Sequence, residues 1–155
     1  MISGKHLHLI ETHGEAIIGR VAEQLLHEPD MLHIRTVLGS ELAEWRQEFL
    51  SNFGHWLVAG HDEEVARRYQ HIGQLRCGQG IPLHECVHGL CMLRAKMLDF
   101  VEEQIATKDP MELYAEEELD RRVGRFFDLL IVNLVRGYEF ALRLGQAGNR
   151  YRAST

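Results

Sequence analysis

A glycine-punctuated corner with the sequence RCGQGIP, residues 76–82, constrains the fold of this chain more than any other stretch. Gly78 and Gly80 can adopt the left-handed backbone conformation that commonly ends a helix. Pro82 fits the first turn of the helix that follows, because its fixed φ suits that position. The corner therefore predicts the end of one helix and the immediate start of another.

The rest of the chain also shows helical periodicity, and no alternating strand pattern persists. Ser40 and Asp62 are good N-caps, Pro110 suits the first turn of a last helix, and Gly145 is expected to end it. We predict helices over residues 8–27, 40–59, 62–77, 83–105 and 111–144. The predicted fold class is all-α, a globin-like bundle of five to six helices. We expect one domain over 1–145 and a polar tail or the start of a linker over 146–155.

Arg76 stands where the helical pattern calls for an apolar residue. At roughly 100° per residue, one stripe of the 62–77 helix consists of Val65, Tyr69, Ile72 and Arg76. A buried guanidinium is unfavourable unless it is paired. Arg76 must therefore find a carboxylate, backbone carbonyls or an anionic ligand, or extend its long stem until its head reaches water.

The corner and its flanks resemble a known family. The run IGQLRCGQGIPLHECVHGLCMLRAKML, with EEVARRY before it, resembles the F-helix, corner and G-helix of globin-coupled sensors. It is equally similar to the RsbR-type non-haem globin domains of stressosome proteins, and the resemblance covers roughly Trp45 to Leu142. It implies a sensory or regulatory input domain of bacterial signal transduction. In haem-binding relatives the proximal histidine stands four residues before the corner glycine, and here that position is Arg76.

This substitution predicts a domain that works without haem. In this interpretation the arginine fills the space that haem would occupy and leaves a smaller ligand pocket. The residues predicted to border the pocket are Arg76, Tyr69, Ile72, Phe53 and Trp56. The alternative is a haem-based oxygen sensor that uses another axial ligand.

The middle of the last helix, residues 126–135, is apolar nearly all round, which indicates that it is covered on two sides. One side would be the core of the chain, and the other a second copy, since nothing else in the sequence can cover it. The resemblance implies the same, because the similar domains dimerise through their final helices. We predict a homodimer built by the last two helices, with Asn133 fixing its register. The predicted interface residues are Phe126, Phe127, Leu130, Asn133, Leu134, Tyr138, Leu90 and Met97. The alternative is a long core helix in a monomer.

The ten histidines do not form a recognisable metal site. Glu85 and His88 match the Glu-x-x-His motif of di-iron bundles, but such sites need that motif on two helices. Helical spacing places both side chains away from the apolar stripe, so we expect them to face solvent or an interface. His84 and His88 could chelate a divalent ion only at the surface. No metal site is predicted.

The net charge, the cysteine count and the motifs of the sequence disfavour several classes of function. The net charge of −6 disfavours a nucleic-acid surface, and no apolar run is long enough to span a membrane. Three cysteines cannot all pair within the chain, which favours reduced thiols and a cytoplasmic protein. We find no phosphate-binding glycine loop, nucleophile elbow or kinase signature. The chain is therefore expected not to be an enzyme but to act on a downstream signalling module or partner protein.

Overall fold

The computed structural model describes the backbone of residues 4–57, 60–105 and 109–154, and the side chains of these ranges up to residue 145. Within them, helix is the only regular secondary structure. The α-helices are α1 (Gly4–Thr12), α2 (Gly14–His27), α3 (Leu38–Glu44), α4 (Phe53–Leu57), α5 (Asp62–Gly78), α6 (Leu83–Gln104) and α7 (Pro110–Ser154). Helices α3 and α4 are the two ends of one interrupted segment, so six helical units form the bundle. The predicted all-α class with five to six helices is confirmed.

The interrupted segment over residues 38–57 is irregular in the middle. A short 3₁₀ turn, Ile34–Val37, precedes it, and α3 begins at Leu38, two residues before the predicted cap Ser40. A π-helical turn and a 3₁₀ turn then separate α3 from α4, at Trp45–Phe49 and Leu50–Asn52. Because the number of residues per turn changes along this segment, a constant 100° step does not describe which side chains face inward.

Three predicted boundaries are wrong or lie outside the described residues. The first predicted helix is two helices, separated at His13. The last helix does not end at Gly145 but continues to Ser154, since one glycine inside a helix disfavours it by only about 1 kcal/mol. The predicted end of the second helix at Ala59 lies outside the described residues. The domain boundary at residue 145 stays a prediction.

The predicted corner between α5 and α6 is confirmed, and its hydrogen bonds form a Schellman motif. The Ile81 N–H donates to the Arg76 carbonyl oxygen at 3.1 Å, and the Gly80 N–H donates to that of Cys77 at 3.1 Å. Gly80 has a φ of 73°, in the left-handed region that favours glycine. The corner therefore fixes the last turn of α5, where Arg76 lies.

Helices α5 and α7 cross with their backbones in direct contact. A Cβ atom added to Gly73 would lie 2.1 Å from the Leu134 carbonyl oxygen, and one added to Gly137 would lie 1.9 Å from that of Gln70. Glycine at both positions is what allows the helices to approach this closely. The contact extends to the corner, where the Tyr138 hydroxyl donates to the Ile81 carbonyl oxygen at 2.6 Å.

The residues predicted to form a dimer interface are buried within the single chain. This applies to the whole set of Phe126, Phe127, Leu130, Asn133, Leu134, Tyr138, Leu90 and Met97. Helix α7 packs against both α5 and α6 of its own chain, which explains an apolar band on more than one side. Asn133 accepts a hydrogen bond from Gln70 Nε2 at 2.8 Å and donates to the Leu129 carbonyl oxygen at 2.9 Å. These side chains form the core of the single chain, and their role in a dimer interface stays a prediction.

A different part of α7 leaves apolar side chains accessible. Val132 and Leu142 are 47% and 45% exposed, and Ile131 and Val135 are half-buried. At helical spacing these four side chains lie within about 100° of one another, and we call them the outer flank of α7. Among the described residues, no helix is both long and apolar enough to cross a membrane.

Candidate functional site

The guanidinium of Arg76 is buried at the corner, and each of its three nitrogen atoms donates a hydrogen bond. Its side chain is 3% exposed, and Nε donates to Glu41 Oε2 at 2.9 Å. Nη2 donates to the same oxygen, and Nη1 donates to Gln79 Oε1 at 2.9 Å. The predicted inward direction of Arg76 is therefore confirmed, and its partner is a carboxylate. The alternative in which its head reaches water is wrong.

Glu41 is the site residue that the sequence analysis missed. It lies on α3, 35 residues before Arg76, and its side chain is only 5% exposed. The spacing of Glu41 in the sequence could have indicated that it faces the core, because Glu41, Trp45 and Phe49 follow one another at intervals of four residues. Trp45 and Phe49 are both buried, so a residue one turn before them is expected to face the core as well.

The protein environment shifts the pKa values of the ionisable groups around this pair. Burial raises the pKa of the Glu41 carboxyl, and the adjacent Arg76 guanidinium offsets part of that shift. Burial, and then the negative charge of Glu41, raises the pKa of Glu44, which lies one turn along α3. Burial also raises the pKa of Cys86 to about 12, so this thiol stays protonated at neutral pH. The pair thus lies in a region that disfavours further negative charge.

The other residues predicted to border a pocket are buried in an aromatic cluster beside the α5–α7 contact. Phe49 lies at its centre, with ring centroids 5.4 Å from Tyr69 and 5.5 Å from Trp56. Phe53 packs edge-on against Phe126 at 5.6 Å. Ile72 is buried one turn before Arg76. The structure thus surrounds Phe49 with these rings, and a ligand pocket at this place stays a prediction.

Glu85 does not face solvent as predicted. It is fully buried and accepts hydrogen bonds from the His33 and Ile34 backbone N–H groups, at 2.9 and 3.3 Å. A third bond joins its Oε2 to His33 Nδ1 at 2.9 Å. These contacts hold the 3₁₀ turn that leads into α3, so Glu85 is structural. His84 and His88 are exposed, as expected.

The histidines do not converge on the corner or on a metal site. All ten lie within the described residues, and only His6 is buried. Burial lowers the pKa of His6, opposed by the charges of Glu116 and Glu112 on the first part of α7. Position 116 is about 33 Å along α7 from Tyr138, which contacts the corner, at about 1.5 Å per residue. Over the described part of the chain, no group of three or more His, Cys, Asp or Glu residues is arranged to hold a metal ion.

The chain was compared with known proteins in three ways. No family model matches the sequence. No curated protein and no solved structure matches it either. The residues of the chain and their contacts are therefore the basis of its proposed function.

Proposed function

We propose that this chain is a non-catalytic input domain of bacterial signal transduction, globin-like in arrangement, that works without haem. The observation that carries the proposal is the buried ion pair between Arg76 and Glu41. Arg76 occupies the position at which the haem-binding relatives place their proximal histidine. A charged guanidinium has no free lone pair and cannot bind iron, so the residues at this position do not fit a haem.

The final helix supports a role in transmitting a signal. Helix α7 has 45 residues, more than twice the 22 residues of α6. It is about 67 Å long at a rise of about 1.5 Å per residue. Because Gly73 and Gly137 bring the α5 and α7 backbones into contact, a displacement near Arg76 would be passed directly to α7. A downstream module or partner protein, such as a kinase or a stressosome component, would then receive that displacement from α7.

We also propose that the chain forms a homodimer, now through the outer flank of α7 rather than through the core residues. Val132 and Leu142 are large apolar side chains that single-chain packing leaves nearly half exposed. Burial of apolar surface contributes roughly 25 cal/mol per Å², so a second copy that covered the outer flank would be favoured. A parallel or antiparallel pair of α7 helices would also give the two output modules a shared axis.

A fusion experiment tests the proposed role. The full chain is joined through the end of α7 to a DNA-binding domain that represses a reporter gene only as a dimer. We expect repression by this fusion and its loss when Val132 and Leu142 are both replaced by lysine. Lack of repression by the unmodified fusion, at equal expression, would contradict an input domain that acts through α7. Haem titration tests the haem-free part of the proposal.

A further inference from the structure

A groove beside the crossing of α5 and α7 has the features of a ligand site that is separate from the Arg76–Glu41 pair. Its volume is about 560 Å³, within the range of roughly 300–1,000 Å³ that small-molecule sites occupy. The residues that line it are Gln70, Gln74, Arg136, Gly137, Glu139, Phe140 and Arg143. Gly137 and Gln70, whose backbones are in close contact, both line this groove.

The groove carries positive charge in an acidic protein. Arg136 is exposed and has no hydrogen-bond or ion-pair partner among the described residues. Arg143 lies on the same side of α7, two helical turns further on, and its Nη1 is 4.0 Å from Glu139 Oε2. Two cations and one carboxylate leave the groove net positive, although the chain as a whole has a net charge of −6. An anion is therefore the ligand that the groove attracts.

An aromatic ring lies between the two cations. Phe140 is one turn after Arg136 and three residues before Arg143, and it is 46% exposed. The facing helix adds amides, with Gln74 exposed and Gln70 held in place by its hydrogen bond to Asn133. A flat ring can stack on Phe140, and amide groups can hydrogen-bond to its polar edge. The groove thus has an aromatic side chain on which a flat ring can stack, and two arginines that can bind a negatively charged group.

We propose that this groove binds a small anion in which a phosphate or a carboxylate is joined, directly or through a sugar, to a flat aromatic ring. Arg136 and Arg143 hold the anionic group through charge-assisted hydrogen bonds, for which the guanidinium fork is well suited. Phe140 stacks on the ring, and Gln74 bonds to its edge. The ligand joins α5 to α7, so its binding would bias the helix that carries the output.

Ligand binding in the groove requires neither the absence of haem nor the formation of a dimer. At helical spacing, Arg136, Phe140 and Arg143 are centred about 100° around α7 from the outer flank. The groove and the outer flank therefore adjoin where Val132 lies one turn before Arg136, and only Ile131, Val135 and Leu142 face well away from the groove. A failed haem or dimer test leaves the groove proposal intact, and a failed binding test leaves the proposed function intact.

Isothermal titration calorimetry of the full chain tests the groove with four probes: AMP, benzoate, adenosine and inorganic phosphate. We expect saturable binding of AMP or benzoate at one molecule per chain, with adenosine and phosphate each weaker. Replacing both Arg136 and Arg143 with glutamine should weaken binding at least tenfold, which corresponds to about 1.4 kcal/mol. Phe140→Ala should weaken it as well. Arg67→Gln, which removes an exposed arginine from α5 outside the groove, is the matched control and should have no effect.

Several results would overturn the inference. One is that neither AMP nor benzoate gives saturable binding at millimolar concentration. Another is that binding survives within twofold in the doubly substituted protein. Phosphate binding as tightly as AMP would overturn the aromatic part of the proposal. Amide chemical shifts that change outside 70–74 and 136–143 but not within these ranges would place the ligand elsewhere. Circular dichroism confirms that each variant is folded, which is expected because the replaced arginines are exposed.

Discussion

Arg76 and Glu41 form a buried ion pair between α5 and α3, two helices that are far apart in the sequence. Both side chains are at most 5% exposed, so neither charge is stabilised by water. Each therefore depends on the other, and the pair links the corner to the irregular segment that carries α3. The first prediction concerns this mutual dependence.

Removing either member alone should destabilise the protein strongly, because a buried charge is left without a partner. We expect Arg76→Met or Glu41→Leu to lower the free energy of unfolding by about 3–5 kcal/mol. The double variant, which removes both charges, should be much more stable than the sum of the single changes implies. Urea denaturation of the four proteins in a double-mutant cycle measures the coupling. Additive effects would show that the two charges do not depend on each other.

The second prediction is that Glu44, which lies beside the Arg76–Glu41 pair, makes the free energy of unfolding depend on pH. Burial and the charge of Glu41 raise the pKa of Glu44 above its ordinary value of 4.5, so the folded state holds this proton more tightly than the unfolded state. The contribution of Glu44 to stability is therefore most favourable below pH 4.5 and is lost as the pH rises through the folded-state pKa. We expect Glu44→Gln to be more stable than the unmodified protein at pH 7, with the difference shrinking towards pH 4. Urea denaturation at both pH values measures this.

A matched control is available on α2, where Glu23 is exposed. Glu23→Gln should change the free energy of unfolding by no more than about 0.5 kcal/mol at either pH. If Glu44→Gln also has no effect at pH 7, the carboxyl of Glu44 is not destabilised by its surroundings.

The sequence predicted the direction of Arg76 correctly because α5 is a regular helix, in which the 100° step holds from Asp62 to the corner. No direction was predicted for Glu41, which lies on α3 at the start of the irregular segment that contains the π-helical turn Trp45–Phe49. For Glu85 the 100° step predicted the wrong direction. Glu85 is buried because the backbone of His33 and Ile34 satisfies its carboxylate, and a contact between residues 52 positions apart is not visible in helical spacing.

The apolar band of α7 shows a second limit of sequence reasoning. A helix that is apolar on several sides must be covered, and that part of the inference is sound. The pattern does not say whether the cover comes from the same chain or from another. Here α5 and α6 supply it, and Gly73 and Gly137 signal how closely α5 approaches. Gly73 on α5 and Gly137 on α7 are the sequence feature that could have indicated cover by the same chain.

The glycine contact gives a third prediction. Gly137→Ala would place a methyl group 1.9 Å from the Gln70 carbonyl oxygen, which forces the two backbones apart. We expect a loss of about 1–3 kcal/mol or more in the free energy of unfolding. Gly124→Ala, on the same helix with no atom within 4 Å of the new methyl group, should instead be neutral or stabilise by up to about 1 kcal/mol. Thermal denaturation separates the two outcomes, and equal effects would contradict the close contact.

The proposed homodimer gives a fourth prediction, which concerns the outer flank of α7. Replacing both Val132 and Leu142 with lysine should yield a folded monomer, because these side chains are exposed in the single chain. Leu26→Lys, at an exposed apolar position on α2, should leave the dimer intact. Analytical ultracentrifugation measures the mass of each protein. An unmodified protein that sediments as a monomer at high concentration would contradict the proposed dimer.

Haem titration, followed in the Soret region of the absorption spectrum, tests the central claim most directly. The proteins are the unmodified chain, Arg76→His combined with Glu41→Gln, and Arg67→His as a control on the exposed side of α5. The second change in the double variant prevents Glu41 from being left buried as an unpaired charge. We expect no saturable Soret band with the unmodified chain or the control, and a gain of haem affinity only in the double variant. A Soret band that saturates at one haem per unmodified chain, and that is insensitive to changes at Arg76, would contradict the account and favour a haem-based sensor with another axial ligand.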